Sequence, residues 1–243
     1  MRPLLLTLTF FLTIASSASA QNWGWNRTSV KGNGDVTTQS RDLKGFDGIR
    51  ACCSLNVELT QGGSFSVEVE AESNLQEYIE TEVSGNTLEI GFKDNVNIRN
   101  REPIIVRVTL PELEMIDASS SADVVTMGSF KGERLRLESS SGSAIEATFS
   151  GGRVSADASS GGRVNVEGKV DFVDAEASSG AKVLADNLDA KEADADVSSG
   201  ARIEVRVSEK LKADASSGGS IHYHGNPSDL NTDTSSGGSV RNS

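Results

Sequence analysis

Residues 157–164 read Asp-Ala-Ser-Ser-Gly-Gly-Arg-Val, and closely similar octapeptides recur along the C-terminal half of this 243-residue chain. Their shared Ser-Ser-Gly has its glycine at six positions with nearly constant spacing: Gly142, Gly161, Gly180, Gly200, Gly218 and Gly237. A weaker copy, Ser120-Ser121-Ala122, stands about one such interval before the first. Self-similarity at a fixed period is the sequence signature of a solenoid.

Apolar or small residues alternate with polar ones on both sides of each Ser-Ser-Gly. In one repeat they are Val154, Ala156 and Ala158 before the turn, and Val164 and Val166 after it. A period of two predicts strands with one buried face. Each repeat is therefore predicted to form two short strands and two turns, which bury their inner face by stacking on the next repeat. The predicted fold class is all-β, a single-domain β-solenoid (β-helix) of stacked coils of about 19 residues.

The chain before the repeats is less regular but still rich in strand patterns. We expect one domain over residues 30–243, with an irregular strand-rich part at 30–115 and the regular repeats at 116–243. The segments 61–64 and 84–86 are predicted to be hairpin turns. Residues 74–80 are predicted to contain one or two helical turns.

The first twenty residues have the pattern of a signal peptide. Arg2 precedes a short apolar run at 4–14, and the small residues 18–20 form a cleavage site. We expect a flexible leader at 21–29 and export to the periplasm, the cell surface or the extracellular space. No segment left after cleavage has the length and apolarity of a membrane span. The net charge of -12 argues against nucleic acid as a partner, because phosphates would be repelled.

Cys52 and Cys53 are adjacent in a strand-like alternation that predicts Cys53 inward and Cys52 outward. Two interpretations follow: a buried small residue beside an exposed thiol, or a Cys52 that pairs with another chain. A bond between the two neighbours is not expected, because adjacent cysteines fit disulfide geometry poorly.

An acidic residue stands four positions before each glycine of the Ser-Ser-Gly repeat. The set is Glu138, Asp157, Glu176, Asp196, Asp214 and Asp233. Their parity predicts an outward column of carboxylates with raised pKa values, because neighbouring coils bring like charges together. One hypothesis is that the column binds calcium or another hard cation, which carboxylate oxygens suit. The alternative is a solvated face that keeps the protein soluble. No other cofactor is predicted.

The opposite sheet is predicted to carry a basic column and both histidines of the chain. Arg163, Lys182 and Arg202 share one repeat position, where they could meet an acidic glycan or a second molecule, or be ordinary exposed charges. His222 and His224 flank an inward residue and should project together, either as part of a weak metal site or as two polar residues. With no further histidine, a serine–histidine–aspartate triad elsewhere is excluded, and no catalytic residue is predicted.

Several motifs of the chain are similar to those of a known family. They are Gly32-Asn33-Gly34, then Arg41, Phe46 and Ile49, the run at 56–62, the Leu-Pro-Glu-Leu at 110–113, and the Ser-Ser-Gly coils. Over about residues 30–243 the chain resembles the family called putative auto-transporter adhesin, head GIN domain. The resemblance implies a β-helical, pectin-lyase-like fold, bacterial export and a role in adhesion, with no catalytic residues.

The expected function is that of an exported, non-catalytic binding or structural module in cell adhesion or at the cell envelope, with a protein or glycan surface partner. A self-associating periplasmic scaffold is one alternative. A polysaccharide-active β-helix enzyme is the other, and it would need a cleft of converging acids and bases that repeating columns do not offer.

Overall fold

The structure, a computed structural model, describes residues 28–243. The predicted signal peptide and residues 21–27 of the leader lie outside the described residues. The described chain consists of strands and a single 3-10 turn, Gln76–Tyr78. The strands are β1 Thr28–Lys31, β2 Val36–Arg41, β3 Gly48–Ala51, β4 Asn56–Gln61, β5 Ser66–Glu72, β6 Ile79–Ser84, β7 Thr87–Phe92, β8 Val96–Arg99, β9 Ile105–Leu110, β10 Met115–Ala118, β11 Asp123–Ser139, β12 Ala144–Ala158, β13 Arg163–Ala177, β14 Lys182–Val197, β15 Arg202–Ala215, β16 Ser220–His224, β17 Asp229–Thr234 and β18 Ser239–Asn242.

The repeats wind into a solenoid whose coils pair in parallel with their neighbours. Each of β11 to β15 provides most of one coil, and equal repeat positions face each other, as Val154 faces Val173 and Ala156 faces Ala175. The predicted fold class is confirmed. The inward columns of valine, isoleucine, leucine and alanine are buried. No described helix has the length and apolarity needed to cross a bilayer.

The coils differ from the prediction in having one continuous strand in place of two short ones. In β12 the buried parity changes between Phe149 and Val154, so the strand bends without leaving its ladder. Gly151 lies at this bend, where an added Cβ would fall 1.9 Å from the Gly132 carbonyl oxygen. The bend therefore depends on the close approach of two backbones that only glycine permits.

The Ser-Ser-Gly turns are themselves joined by hydrogen bonds. Ser160 and Gly161 both have left-handed backbone angles, with φ of 49° and 75°. The Gly161 N–H donates to the carbonyl oxygen of Ser179 in the next coil at 3.2 Å. The second serine thus shares the left-handed conformation that was expected of the glycine alone.

Two further turns of the same kind precede the six glycine-containing ones. The weaker copy is displaced by a single position from the prediction: Ser121, with φ of 62°, takes the glycine's place and donates its N–H to the Ser141 carbonyl oxygen at 3.2 Å. One coil earlier, the Ser54 N–H donates to the Ser120 carbonyl oxygen at 3.0 Å. Cys52-Cys53-Ser54 is therefore the first turn of the stack.

This placement corrects the prediction for the two cysteines, which are bonded to each other. The strand β3 ends at Ala51, and the chain then turns with φ of 71° at Cys53, so the alternation does not continue through the pair. Both cysteines are half-buried, and no described cysteine is free. Both interpretations from the sequence are therefore wrong: the pair is not a buried residue beside an exposed thiol, and Cys52 is not paired with another chain.

Antiparallel strands close the N-terminal end of the solenoid. The predicted turn at 84–86 joins β6 and β7 in a hairpin and is confirmed. The hairpin at 61–64 is wrong, because β4 and β5 lie on opposite sides of β9 and do not pair with each other. The first described strand, β1, pairs with β8 and includes Thr28 and Ser29, which were expected to belong to the flexible leader.

The Gly32-Asn33-Gly34 motif wraps a buried carboxylate at this capped end. Glu72 accepts hydrogen bonds from the backbone N–H of Arg101 at 2.8 Å and of Gly34 at 2.5 Å. These N–H groups hold the pKa of Glu72 below its usual value, and the N–H of Arg101 has the largest effect. A Cβ on Gly32 would lie 1.9 Å from the Glu72 carboxylate. The motif is therefore a structural clamp between the first loop, β5 and the loop before β9.

Candidate functional site

The predicted acidic column exists and has one more member than the sequence indicated. Strand register places the six predicted carboxylates side by side, and Asp117 of β10 precedes Glu138 in the same row. Asp117 was not predicted, because the weaker repeat was aligned one position too late along the chain. The signal that finds it is Asp-Ala-Ser at 117–119, which repeats Asp-Ala-Ser at 157–159. We call this row the acidic ladder: Asp117, Glu138, Asp157, Glu176, Asp196, Asp214 and Asp233.

A groove runs beside the acidic ladder. Two positions after each acid comes the first serine of the turn, which shares the outward face, and the small residue between them forms the floor, as in Asp157-Ala158-Ser159. One cavity of about 300 Å³ follows the first coils, and a second of about 460 Å³ follows the last. Both are lined by Ser198, so the two cavities adjoin along the stack, and we call them together the acidic groove.

Three carboxylates of the acidic ladder, Asp157, Glu176 and Asp196, lie where their charged form is disfavoured. Partial burial raises the pKa of Asp157 and of Asp196. The negative charge of Asp157, followed by partial burial, raises the pKa of Glu176. The predicted direction is found at these three positions, but the predicted cause, repulsion between neighbouring like charges, is the largest cause only at Glu176. Each of them therefore favours a proton or a positive partner more than an isolated carboxylate does.

Cationic side chains form ion pairs with four of the seven ladder acids. Arg50 forms ion pairs with Glu89 and Asp117, and Arg136 with Glu138 and Asp157. Towards the other end, Lys212 lies 2.9 Å from Asp214 and 3.3 Å from Asp194. Hydrogen bonds to Asp214 and Asp194 hold the pKa of Lys212 above its usual value. Among the described residues, no such ion pair reaches Glu176, Asp196 or Asp233.

The parts of the strands that follow each Ser-Ser-Gly turn, which we call the opposite sheet because the acidic ladder lies before the turns, carry the predicted basic column: Arg163, Lys182 and Arg202 face one another in successive coils. The two histidines project from this sheet but have different surroundings. His222 lies 3.2 Å from an Arg202 guanidinium nitrogen. His224 instead lies beside Asp186 and Glu204. The structure thus does not bring the two imidazoles together as a pair of ligands, and it adds two carboxylates that the sequence pattern did not indicate.

These features define a β-solenoid whose ordered side-chain rows lie on its outer faces. The family model described as "Putative auto-transporter adhesin, head GIN domain" matches residues 45–227, and the chain belongs to that family. The predicted resemblance is confirmed.

Solved structures with the same fold come from Bacteroides and Parabacteroides species. A putative adhesin from Bacteroides fragilis superposes with a TM-score of 0.82 at 21% identity, over 88% of this chain and 100% of that one. A protein from Parabacteroides distasonis, described as a putative lipid binding protein, gives 0.74 at 21% identity over 89% and 100%. A putative adhesin from Parabacteroides merdae gives 0.73 at 19% over 89% and 99%. No curated protein matches the sequence.

Proposed function

We propose that the protein is an exported, non-catalytic binding module that acts in cell adhesion or at the cell envelope, and that the acidic groove is its docking surface. The observation that carries this proposal is the groove itself, which continues along the stack with one sign of charge on its wall. Family membership and the adhesin-like neighbours support the adhesion role and the export that the N-terminal pattern indicates.

The chemistry of the groove selects a positively charged partner. Carboxylates on its wall attract cations, and the backbone ladder beneath them holds their spacing rigid, so little order is lost when a partner binds. A basic protein surface or a glycan that bears amino groups has the complementary charge. Because the carboxylates are partly exposed, their attraction should weaken as salt is added.

The test compares two variants with the same change in net charge. One, Asp157→Asn/Glu176→Gln/Asp196→Asn, neutralises the middle of the acidic ladder. The control neutralises three exposed acids on the opposite sheet: Asp123→Asn/Glu146→Gln/Glu167→Gln. Binding of the purified proteins is measured on a glycan array that includes amino sugars, on basic protein surfaces and on intact bacteria.

We expect the ladder variant to lose at least about tenfold in binding and the control to stay within about twofold. Equal binding by both variants would contradict the groove as the docking surface. Protease shaving of intact cells tests the location separately, because a surface protein is removed and a periplasmic one is protected. Turnover of any polysaccharide by the purified protein would contradict the non-catalytic assignment.

A self-associating scaffold is the second candidate, and the last coil favours it. The whole of β17 is exposed, including Leu230 at 47%. An open parallel edge of this kind can accept another strand. Light scattering at increasing concentration distinguishes the two functions: a monomer at all concentrations excludes the scaffold, and growth with concentration supports it.

A further inference from the structure

Two irregular repeat intervals mark a bulge in the solenoid. The interval from Gly180 to Gly200 is longer than its neighbours, and the interval from Gly200 to Gly218 is shorter. Between β14 and β15, Ala185 faces Val205, but the next facing pair is Asp189 with Arg206. Residues 186–188 therefore have no facing residue on β15. Bulges redirect side chains and are frequent beside functional sites.

The bulge brings Asp186 next to side chains of the two following coils. One oxygen of Asp186, one oxygen of Glu204 and one ring nitrogen of His224 all lie within 4.8 Å of one another. Arg206 stabilises the bulge, since its Nε donates to the Asp186 carbonyl oxygen at 2.7 Å. All three side chains are half-buried, so the cluster is accessible from solvent.

We propose that Asp186, Glu204 and His224 bind a divalent transition-metal ion of the zinc class. One imidazole and two carboxylates are ligands that zinc accepts, whereas calcium and magnesium prefer oxygen alone. A point within about 2.8 Å of all three atoms follows from their spacing, and small side-chain rotations reach the zinc distances of about 2.0–2.2 Å. The two carboxylates balance the double charge of the ion.

Neighbouring side chains orient this site. Arg202 donates from Nε to one oxygen of Glu204 at 2.7 Å, and the Glu204 side chain is 19% exposed. The other Glu204 oxygen is then free to bind metal, and a hydrogen-bonded carboxylate is typical of metal ligands. The same arginine also contacts Nδ1 of His222, which faces Glu204 on the neighbouring strand but is not one of the three clustered side chains. Three protein ligands leave at least one coordination position open for water or for a group supplied by a partner.

This site lies on the sheet opposite the acidic groove and does not depend on the proposed function. Its test uses the whole chain without a histidine tag, titrated with zinc chloride in a calorimeter. The matched comparison is His224→Ala against His222→Ala, which removes the other imidazole of the same strand. Glu204→Gln provides a second variant, because it removes a ligand with little change in shape.

We expect one zinc ion per chain for the unmodified protein and for His222→Ala. Binding by His224→Ala and by Glu204→Gln should be at least about tenfold weaker. Cobalt should give a visible absorption spectrum that is lost in the same two variants, and calcium should not compete. Zinc binding weaker than about 100 µM in the unmodified protein would overturn the proposal. Equal zinc affinities of His224→Ala and His222→Ala would overturn it as well, since removing the proposed ligand would then weaken binding no more than removing the other imidazole.

Discussion

Replacing Glu176 by glutamine should stabilise the protein at neutral pH. Glu176 stands between Asp157 and Asp196 in the acidic ladder, on strands that lie about 4.8 Å apart. Glutamine keeps the size and the strand preference of the side chain and removes its charge. The change therefore reports the repulsion between coils with little change in packing.

The magnitude is modest because Glu176 is exposed to solvent. Exposed charge pairs contribute roughly 0.2–1 kcal/mol each, and salt screens them. Two like-charged neighbours, discounted for this exposure, suggest a gain of about 0.5–1 kcal/mol in the free energy of unfolding. For a domain of this size, that gain corresponds to a rise of about 1–4 °C in Tm.

The pH dependence of stability provides a second, independent test of this repulsion. The pKa of Glu176 in the folded protein lies above its ordinary value of 4.5, so folding disfavours the ionised form. Its destabilising effect is fully present well above the folded pKa, and it disappears as the pH falls through that pKa towards 4.5. The advantage of Glu176→Gln should therefore be largest at neutral pH and should shrink on mild acidification. Glu72 makes stability change with pH in the opposite direction, and both variants keep this residue. Comparing the two variants at each pH therefore cancels its contribution.

The assay is thermal unfolding by circular dichroism at low salt, at several pH values between about 7 and 5. Glu146→Gln is the control, because Glu146 faces Val125 and Asn165 in its own column and so has no acidic neighbour there. A Tm of Glu176→Gln that equals or falls below that of the control at neutral pH would refute the reasoning. So would an advantage that grows on acidification.

Three other predictions concern the cap, the first turn and the ladder. Gly32→Ala should lower Tm by several degrees, because its Cβ would collide with the buried Glu72 carboxylate, whereas Gly63→Ala meets nothing within 4 Å and should leave Tm nearly unchanged. Cys52→Ser/Cys53→Ser restores the serine pair of the other turns and should cost only about 1 kcal/mol in unfolding free energy, since the disulfide joins sequence neighbours and closes almost no loop; a loss several times larger in chemical denaturation would contradict this. If the acidic ladder binds calcium, millimolar calcium should raise Tm in the unmodified protein but not in the triple ladder variant, and an unchanged Tm discards that hypothesis.

The irregular N-terminal part shows where sequence patterns are insufficient. The turn at 84–86 was predictable, because a hairpin pairs two strands that are adjacent in the sequence. The similar segment at 61–64 was not, because β4 and β5 both pair with β9, which comes only after four further strands or turns of the chain. Glycine-rich segments predict that the chain turns, whereas the choice of partner depends on which strand buries the exposed apolar face.

The sequence by itself determined the solenoid, the inward alanine and valine columns, and six of the seven acids of the ladder. These follow from a period of two within a strand and from a nearly constant repeat length, both of which are local properties. The tertiary structure alone decided that Cys52-Cys53-Ser54 begins the stack of turns, and that Asp186, Glu204 and His224 meet. Both depend on the register between coils: uneven repeat intervals indicate that the register changes, but only the backbone pairing shows which residues the bulge contains.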